Sequence, residues 1–363
     1  MVHAPPRPEA GSPPVRVNLY SDTQTKPSRA MKEAMMEAEV GDEQFGEDPT
    51  VNELCDRMAA LTGKEAAVFM PSGTMCNQIA IRTHCRAGDE VLAHQMAHII
   101  TSEGGAASAL TGALLTGLPG ARGQFDADTL RGAFRAKTRY APPQTLVEVE
   151  QTSNLGGGSV WGQAKLDAVL QTAHEAGMAT HMDGARLMNA VVAAGIPAAE
   201  MVKHCDTVWL DFTKGLGAPL GAVLCGSEEF IGHAWRWKQR FGGSMRQAGI
   251  CAAACIYSLD HNIDRLADDH ANAKALARGL AQIEGITVED PETNLVFFDT
   301  SALGVTALDF AKKARRRGIS FGAMGPYRAR ACTHLDVDRA GIDESLAVIR
   351  EVAGVVRTNG AGV

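Results

Sequence analysis

At 363 residues, 45% of them hydrophobic, the chain exceeds one ordinary domain and has the material for a large core. A formal net charge of −7 with a pI near 5.9 excludes the broad basic surface that nucleic acid would require. No apolar run approaches the ~18 residues of a membrane span, and the eight cysteines include no C-x-x-C pair, so free buried thiols of a cytosolic protein are expected, with neither disulfides nor a metal site.

Residues 1–15 carry five prolines in the first fourteen positions and no apolar centre, which reads as a disordered leader and not as a secretory signal. RVNLYSDTQTK (16–26) is an extended arm. A helix is expected over residues 28–38, where Met31, Met35 and Ala38 share a face, and a second follows the acidic loop GDEQFGEDP, opened by a capping box at Thr50 and Glu53. EAAVFM is a short buried strand. In the turn after it, Ser72, Gly73 and Thr74 lead into a helix at residues 77–86 and offer N–H groups, hydroxyls and a positive dipole end to a phosphate, or simply cap the helix. GDEVLAH is the next strand, with His98 opening the helical stretch after it.

A helix near residues 126–136, the strand QTLVEVE, a helix at 165–176 and the strand MATHMDG come next. Asp183 and Arg186 thus fall at the C-terminal end of a strand, the functional rim of an open α/β sheet. A helix at 187–194 and a strand at 207–212 lead to TKGLGAPLG, a glycine-bracketed turn before the strand GAVLCG. Its Lys214 is flanked by Trp209, Leu210, Phe212 and Leu216, so partial desolvation, which lowers a lysine pKa, is expected there. Strands alternate with helices from Glu65 to Gly226, the pattern of a largely parallel sheet covered on both faces. Beyond Glu228 long helices, broken at Gly242–Gly243, give way to an α+β unit that the arm packs against. The basic run Lys312 to Arg317 closes a helix and complements its dipole. The expected division is an arm and large domain at 16–255 and a small domain at 256–363.

Pyridoxal phosphate (PLP) needs an amine to hold it, a carboxylate beside its pyridine nitrogen, a ring on its face and a phosphate cup. Lys214, Asp183, His98 and the Ser72–Thr74 turn supply these four. Each has a plainer reading: a strand-end lysine, a turn aspartate, a structural histidine, a helix cap.

Taken in order, SDTQTKPS, VGDEQFGEDPTVN, GKEAAVFMPSGTMCNQ, the His98 region, HMDGARLMNA, TKGLGAPLG, GGSMRQAG and RACTHLDV resemble the threonine aldolase and aromatic β-eliminating lyase family, nearest the low-specificity L-threonine aldolase type. The resemblance runs from about Val17 to the end. It implies an aspartate aminotransferase-like fold, with a mostly parallel seven-stranded sheet in the large domain and a smaller α+β C-terminal domain. It implies PLP held as a Schiff base by Lys214, Asp183 at the pyridine nitrogen, His98 stacked on the ring, Arg186 at the phenolic oxygen and phosphate in the Ser72–Thr74 turn. Arg330 would clamp the substrate carboxylate with help from Ser21, Arg246 would lie at the site or reach a neighbouring subunit's, and the assembly would be a homotetramer of paired dimers.

The chain departs from that family's pattern at Tyr20 (usually arginine), Phe45 (usually tyrosine), Ser153 (usually histidine) and the Asp211–Thr213 stretch (usually serine-rich). Ser153 bears on catalysis, because a serine hydroxyl cannot take the proton from a β-hydroxyl group near neutral pH. Either His98 or a water takes it, or the reaction is a β-elimination in which Lys214 removes the Cα proton and a keto acid and ammonia result. Retro-aldol cleavage of a threonine-like β-hydroxy-α-amino acid to glycine and an aldehyde is the leading expectation. A PLP-fold subunit without catalysis is the rival from another class, against which Lys214 and Asp183 both stand.

Overall fold

The computed structural model describes residues 13–360; all but the last three residues of the expected leader lie outside the described residues. After the short β1 (Val17–Asn18), seven strands build the central sheet: β2 (Ala66–Met70), β3 (Glu90–His94), β4 (Leu114–Leu118), β5 (Gln144–Glu150), β6 (Ala179–Gly184), β7 (Thr207–Asp211) and β8 (Ala222–Gly226). Their order is β2-β8-β7-β6-β5-β3-β4. Only β8 is antiparallel to its neighbours; the other pairings are parallel. The interior strands β3, β7 and β8 are buried at every residue, as a sheet covered by helices on both faces demands. Because β2 and β3 lie on opposite sides of β5, β6 and β7, the strand C-termini between them open a crevice.

Local chemistry sets the helix starts. The second helix spans Pro49–Thr62, two residues earlier than the capping box suggests: the Asp48 carboxylate accepts from the Val51 N–H at 3.0 Å, Pro49 fills the first turn, and the Thr50 hydroxyl instead donates to the Glu39 carbonyl at 2.6 Å. The next helix spans Gly73–His84 with Ser72 as its cap, so the Ser72–Thr74 turn is the helix N-terminus itself. The acidic loop before Pro49 is not a solvated face. Glu43 is buried, ion-paired with the buried Lys238, and accepts from the Met245 N–H at 3.0 Å. β4 has no counterpart among the expected strands; it is an edge strand with Leu114 half exposed.

The C-terminal part carries β9 (Thr287–Val288), β10 (Leu295–Asp299), β11 (Ile319–Ser320), β12 (Gly322–Ala323) and β13 (Arg328–Cys332). Four of these form an antiparallel sheet, β12-β13-β10-β9, while β11 pairs in parallel with β1. Two apolar cores result. One spans Met31 to Leu266; the other takes Val17 and Leu19 from the arm and resumes at Ala273. The helix Gly249–His261 runs through the boundary expected at 255, with Ala252, Ala254 and Cys255 in the first core. We propose that the units meet within the next helix, Leu266–Leu280, whose first residue packs in the first core and whose turns from Ala273 onward pack in the second. All eight cysteines are free, and no helix of the described residues is long and apolar enough to cross a membrane.

Candidate active site

The crevice holds a cavity of about 370 Å³ lined by Ser21, Ser72, Gly73, Thr74, His98, Asp183, Arg186, Lys214 and Arg330, together with Glu150, Asn154, Trp209 and Asp211. Nine residues expected at the site are thus brought together from the arm, from the ends of β2, β3, β6 and β7 and the turns that follow them, and from β13. Two are not. Arg246 is mostly exposed and donates to Asp42 at 2.8 Å. Ser153 is buried, bridges to Ser159 through its backbone, and turns its hydroxyl toward Gly123, where a Cβ would lie 1.8 Å from Oγ. The glycine makes room for the hydroxyl there, away from the cavity.

Lys214 stands in the hairpin between β7 and β8. Its carbonyl accepts from the Thr25 hydroxyl at 2.9 Å and from the Gly217 N–H at 2.9 Å, and Ser258 and Asn262 both donate to the next carbonyl but one, that of Leu216. The ammonium donates to Asp211 at 2.6 Å, a carboxylate partner in place of the apolar setting that its sequence neighbours suggest. At the other side of the cavity Gly73 is obligatory: a Cβ there would sit 2.1 Å from the Trp209 ring. The Ser72 hydroxyl takes the Met75 N–H, leaving the N–H groups of Gly73 and Thr74 at the mouth of a 12-residue helix.

Asp183 ends β6. It is buried and accepts from Asn77 Nδ2 at 2.8 Å and from the Ala185 N–H at 3.0 Å. Burial raises its pKa above the ordinary carboxylate value, against the pull of His98, Asn77 and Lys214. A cation against the carboxylate, which a pyridinium supplies, would lower it. His98 donates from Nδ1 to Glu103 at 2.8 Å, and this bond raises its pKa against the effect of burial. The neighbouring Glu150, which accepts the His98 and Asn154 N–H groups, is raised by burial and by Asp183 to about 7.

Arg186, expected at the coenzyme's phenolic oxygen, is buried and clamped in a bidentate ion pair by Asp22, with Nε 2.7 Å and Nη2 2.8 Å from the two carboxylate oxygens. Burial opposes both charges, yet Arg186 and then Lys214 hold the Asp22 carboxyl well below its usual range. Arg330 donates from Nη1 to Asn154 at 2.8 Å and from Nη2 to the Tyr20 carbonyl at 3.3 Å, while its Nε is buried with no partner. An unpaired buried donor on a guanidinium edge is an unmet demand for an acceptor.

These features fit PLP. The buried carboxylate at the end of β6, the amine across from it and the open helix N-terminus, kept clear by Gly73, are the donor and acceptor set the coenzyme requires. Ligand atoms of His98, Glu103 and Asp183 also lie within 4.8 Å of one another, a spacing that would suit a metal ion; here Asn77 donates to both carboxylates. Sequence reasoning missed Asp22, Asn77, Glu103 and Asp211. Their neighbours in the chain, Ser21 and His98 among them, were singled out, but their partners lie up to 272 residues away.

Residues 18–303 match the beta-eliminating lyase family. The low specificity L-threonine aldolase of Escherichia coli K12 is 39% identical over 332 residues, covering 91% of this chain and 97% of that protein. Low-specificity L-threonine aldolase 1 of Arabidopsis thaliana is 36% identical over 342 residues, 92% of this chain and 96% of that protein. In fold, the threonine aldolase of Leishmania major superposes with a TM-score of 0.80 at 20% identity, covering 94% of this chain and 99% of that one. Matched along most of its length by the family and by bacterial and plant relatives, the chain belongs to the beta-eliminating lyases, a family of PLP-dependent enzymes.

Proposed function

We propose that this protein cleaves a β-hydroxy-α-amino acid of the threonine type into glycine and an aldehyde. The observation that carries the reading is Arg330, which lines the same cavity as Lys214, His98 and Asp183 and whose buried Nε has no partner. The relation to the aldolases of Escherichia coli and Arabidopsis supports it. PLP, when bound, supplies the sink for the electron pair released as Cα–Cβ breaks.

The chain's own residues then have separate tasks. Lys214 holds the coenzyme, with Asp211 orienting its amine. Ser72, Gly73 and Thr74 bind the phosphate, and Asp183 keeps the pyridine nitrogen protonated. Arg330, braced by Asn154 and the Tyr20 carbonyl and with Ser21 nearby, binds the substrate carboxylate and so fixes which bond at Cα is poised to break. Arg186, committed to Asp22 through two of its nitrogens, has Nη1 for the coenzyme's phenolic oxygen. With Ser153 turned away, the group for the β-hydroxyl proton is His98: its Nδ1 is taken by Glu103, which leaves Nε2 to accept the proton.

Arg246, outside the cavity, and the exposed apolar side chains of Met36, Phe45 and Ile250 support a homotetramer in which Arg246 reaches a neighbouring subunit's site, and the free cysteines support a cytoplasmic setting. The test is a product analysis with L-threonine, L-allo-threonine and a phenylserine. Glycine and aldehyde are expected; ammonia and a keto acid would refute the aldolase reading. For the assembly, mixing inactive Lys214→Ala and Arg246→Ala subunits is expected to restore part of the activity.

A further inference from the structure

Asn77 lies on the buried face of the helix Gly73–His84, one turn behind the coenzyme's phosphate turn, and its amide touches four groups. Nδ2 is 2.8 Å from Glu103 Oε1 and 2.8 Å from Asp183 Oδ2. Oδ1 is 2.6 Å from Trp209 Nε1 and 3.1 Å from His181 Nε2. This set leaves no freedom in the amide's orientation. An indole N–H can only donate, so Oδ1 must face Trp209, and the two carboxylates then receive both Nδ2 hydrogens.

The assignment propagates. His181 Nε2 meets an oxygen that can only accept, so it carries the proton, and its Nδ1 accepts from the Thr207 hydroxyl at 2.8 Å. That hydroxyl has spent its hydrogen, so His84 Nε2, 3.0 Å away, donates to it. Burial keeps both rings neutral, His181 at about 3 and His84 at about 4. His84, Thr207, His181 and Asn77 thus form one chain of hydrogen bonds with a single direction, ending on the two carboxylates.

We propose that Asn77 is a positioning residue that sets the coenzyme's two contacts together: directly through Asp183, and through Glu103 the ring of His98. Two buried carboxylates this close repel, and one would take up a proton. Asn77 places a donor on each, which favours the charged form of Asp183 at the pyridine nitrogen and fixes the Glu103 carboxylate where it meets His98 Nδ1. The Trp209 indole and the two carboxylates hold the amide in this orientation, and the His84–Thr207–His181 chain adds a second donor to its oxygen. This inference rests on the PLP reading, and its test separates the two.

In the wild-type protein, nitrogen NMR of labelled histidine is expected to find His181 and His84 as neutral Nε2–H tautomers; an Nδ1–H tautomer at His181 would overturn the proposal whether or not coenzyme binds. Asn77→Asp keeps size but replaces the two donors by a third acid. The variant is expected to bind PLP at least tenfold more weakly than wild type, with altered visible absorption of the bound coenzyme. Thr207→Val, outside the cavity, is expected to weaken PLP about threefold in the same direction. Unchanged PLP affinity and spectrum in Asn77→Asp would refute the role. A wild-type protein that took up no PLP would refute the coenzyme reading instead, with the tautomers still judging the chain.

Discussion

The two ends of the central sheet carry two cavities, and the larger is the poorer in chemistry. At the N-terminal ends of β5 and β6 a groove of about 730 Å³ is walled by Phe134 to Arg139, Pro142 to Thr145 and Glu175 to Met178. Two of its cations are committed elsewhere: Arg139 stacks on the exposed Tyr140, and Arg135 pairs with the buried Glu90 at 2.8 Å. The cavity at the opposite end is half that volume, yet it joins residues from the arm, from β5, β6 and β7 and from β13. Volume follows from how a loop happens to run. Convergence follows from strand direction, because parallel strands deliver their C-terminal residues to one place whatever lies between them in sequence.

The sharpest way to break this contrast is Lys214→Ala, which is expected to reduce glycine formation to background while the fold survives. Next, Asp22→Asn leaves Arg186 buried without a counter-charge and is expected to cost about 3–5 kcal/mol of stability in denaturant unfolding. The pH sign follows from the depressed Asp22 value: its stabilisation is present above the ordinary 3.8 and is lost as pH falls below that toward the folded value, so the variant and wild type should converge in acid. Arg330→Lys removes the fork and should lower kcat/KM by roughly 30- to 100-fold, mostly through KM, as expected for about 2–3 kcal/mol of charged hydrogen bonding. Because Glu103 raises the His98 pKa above 6.5, kcat/KM should fall on the acid side at a pH above that value, and Glu103→Gln should move the fall to lower pH. At the other end of the sheet, Lys137→Gln with Arg139→Gln should change activity by less than about twofold and stability by less than about 0.5 kcal/mol. A large loss there would show that the groove has a function.

Much of this contrast was legible in the chain. Six of the seven central strands announce themselves as short apolar runs, and Asp183, Lys214 and the Ser72 turn fall at their ends. β4 did not, because LLTGL lies at an edge, with Leu114 half exposed and Gly117 drawn against Gln95, so its burial pattern is weak. Within the site, residues that line the cavity were readable from residue type and place. Those that brace them were not. Asn77 acts through partners 26 and 106 residues away, and Glu103 braces His98 from a turn, where nothing in the sequence distinguishes it from an ordinary polar residue. Ser153 shows the converse: its position after β5 is right for a site residue, but the glycine at 123 lets its side chain settle elsewhere.

The parallel pairing of β1 with β11 bears on how the enzyme comes into being on the ribosome. Residues 17 and 18 must find residues 319 and 320, and Asp22 must reach both Arg186 and Asn294. The strands of the central sheet all precede residue 227, but the arm that carries Ser21 and Asp22 is not anchored until residues 294, 319 and 320 have emerged. A ring closure of some 300 residues carries only a logarithmic entropy penalty, so the wait is one of synthesis and not of search. A chain that stops before β11 would therefore hold the residues of the central sheet and of the lysine hairpin but would lack both the partner strand of β1 and Arg330.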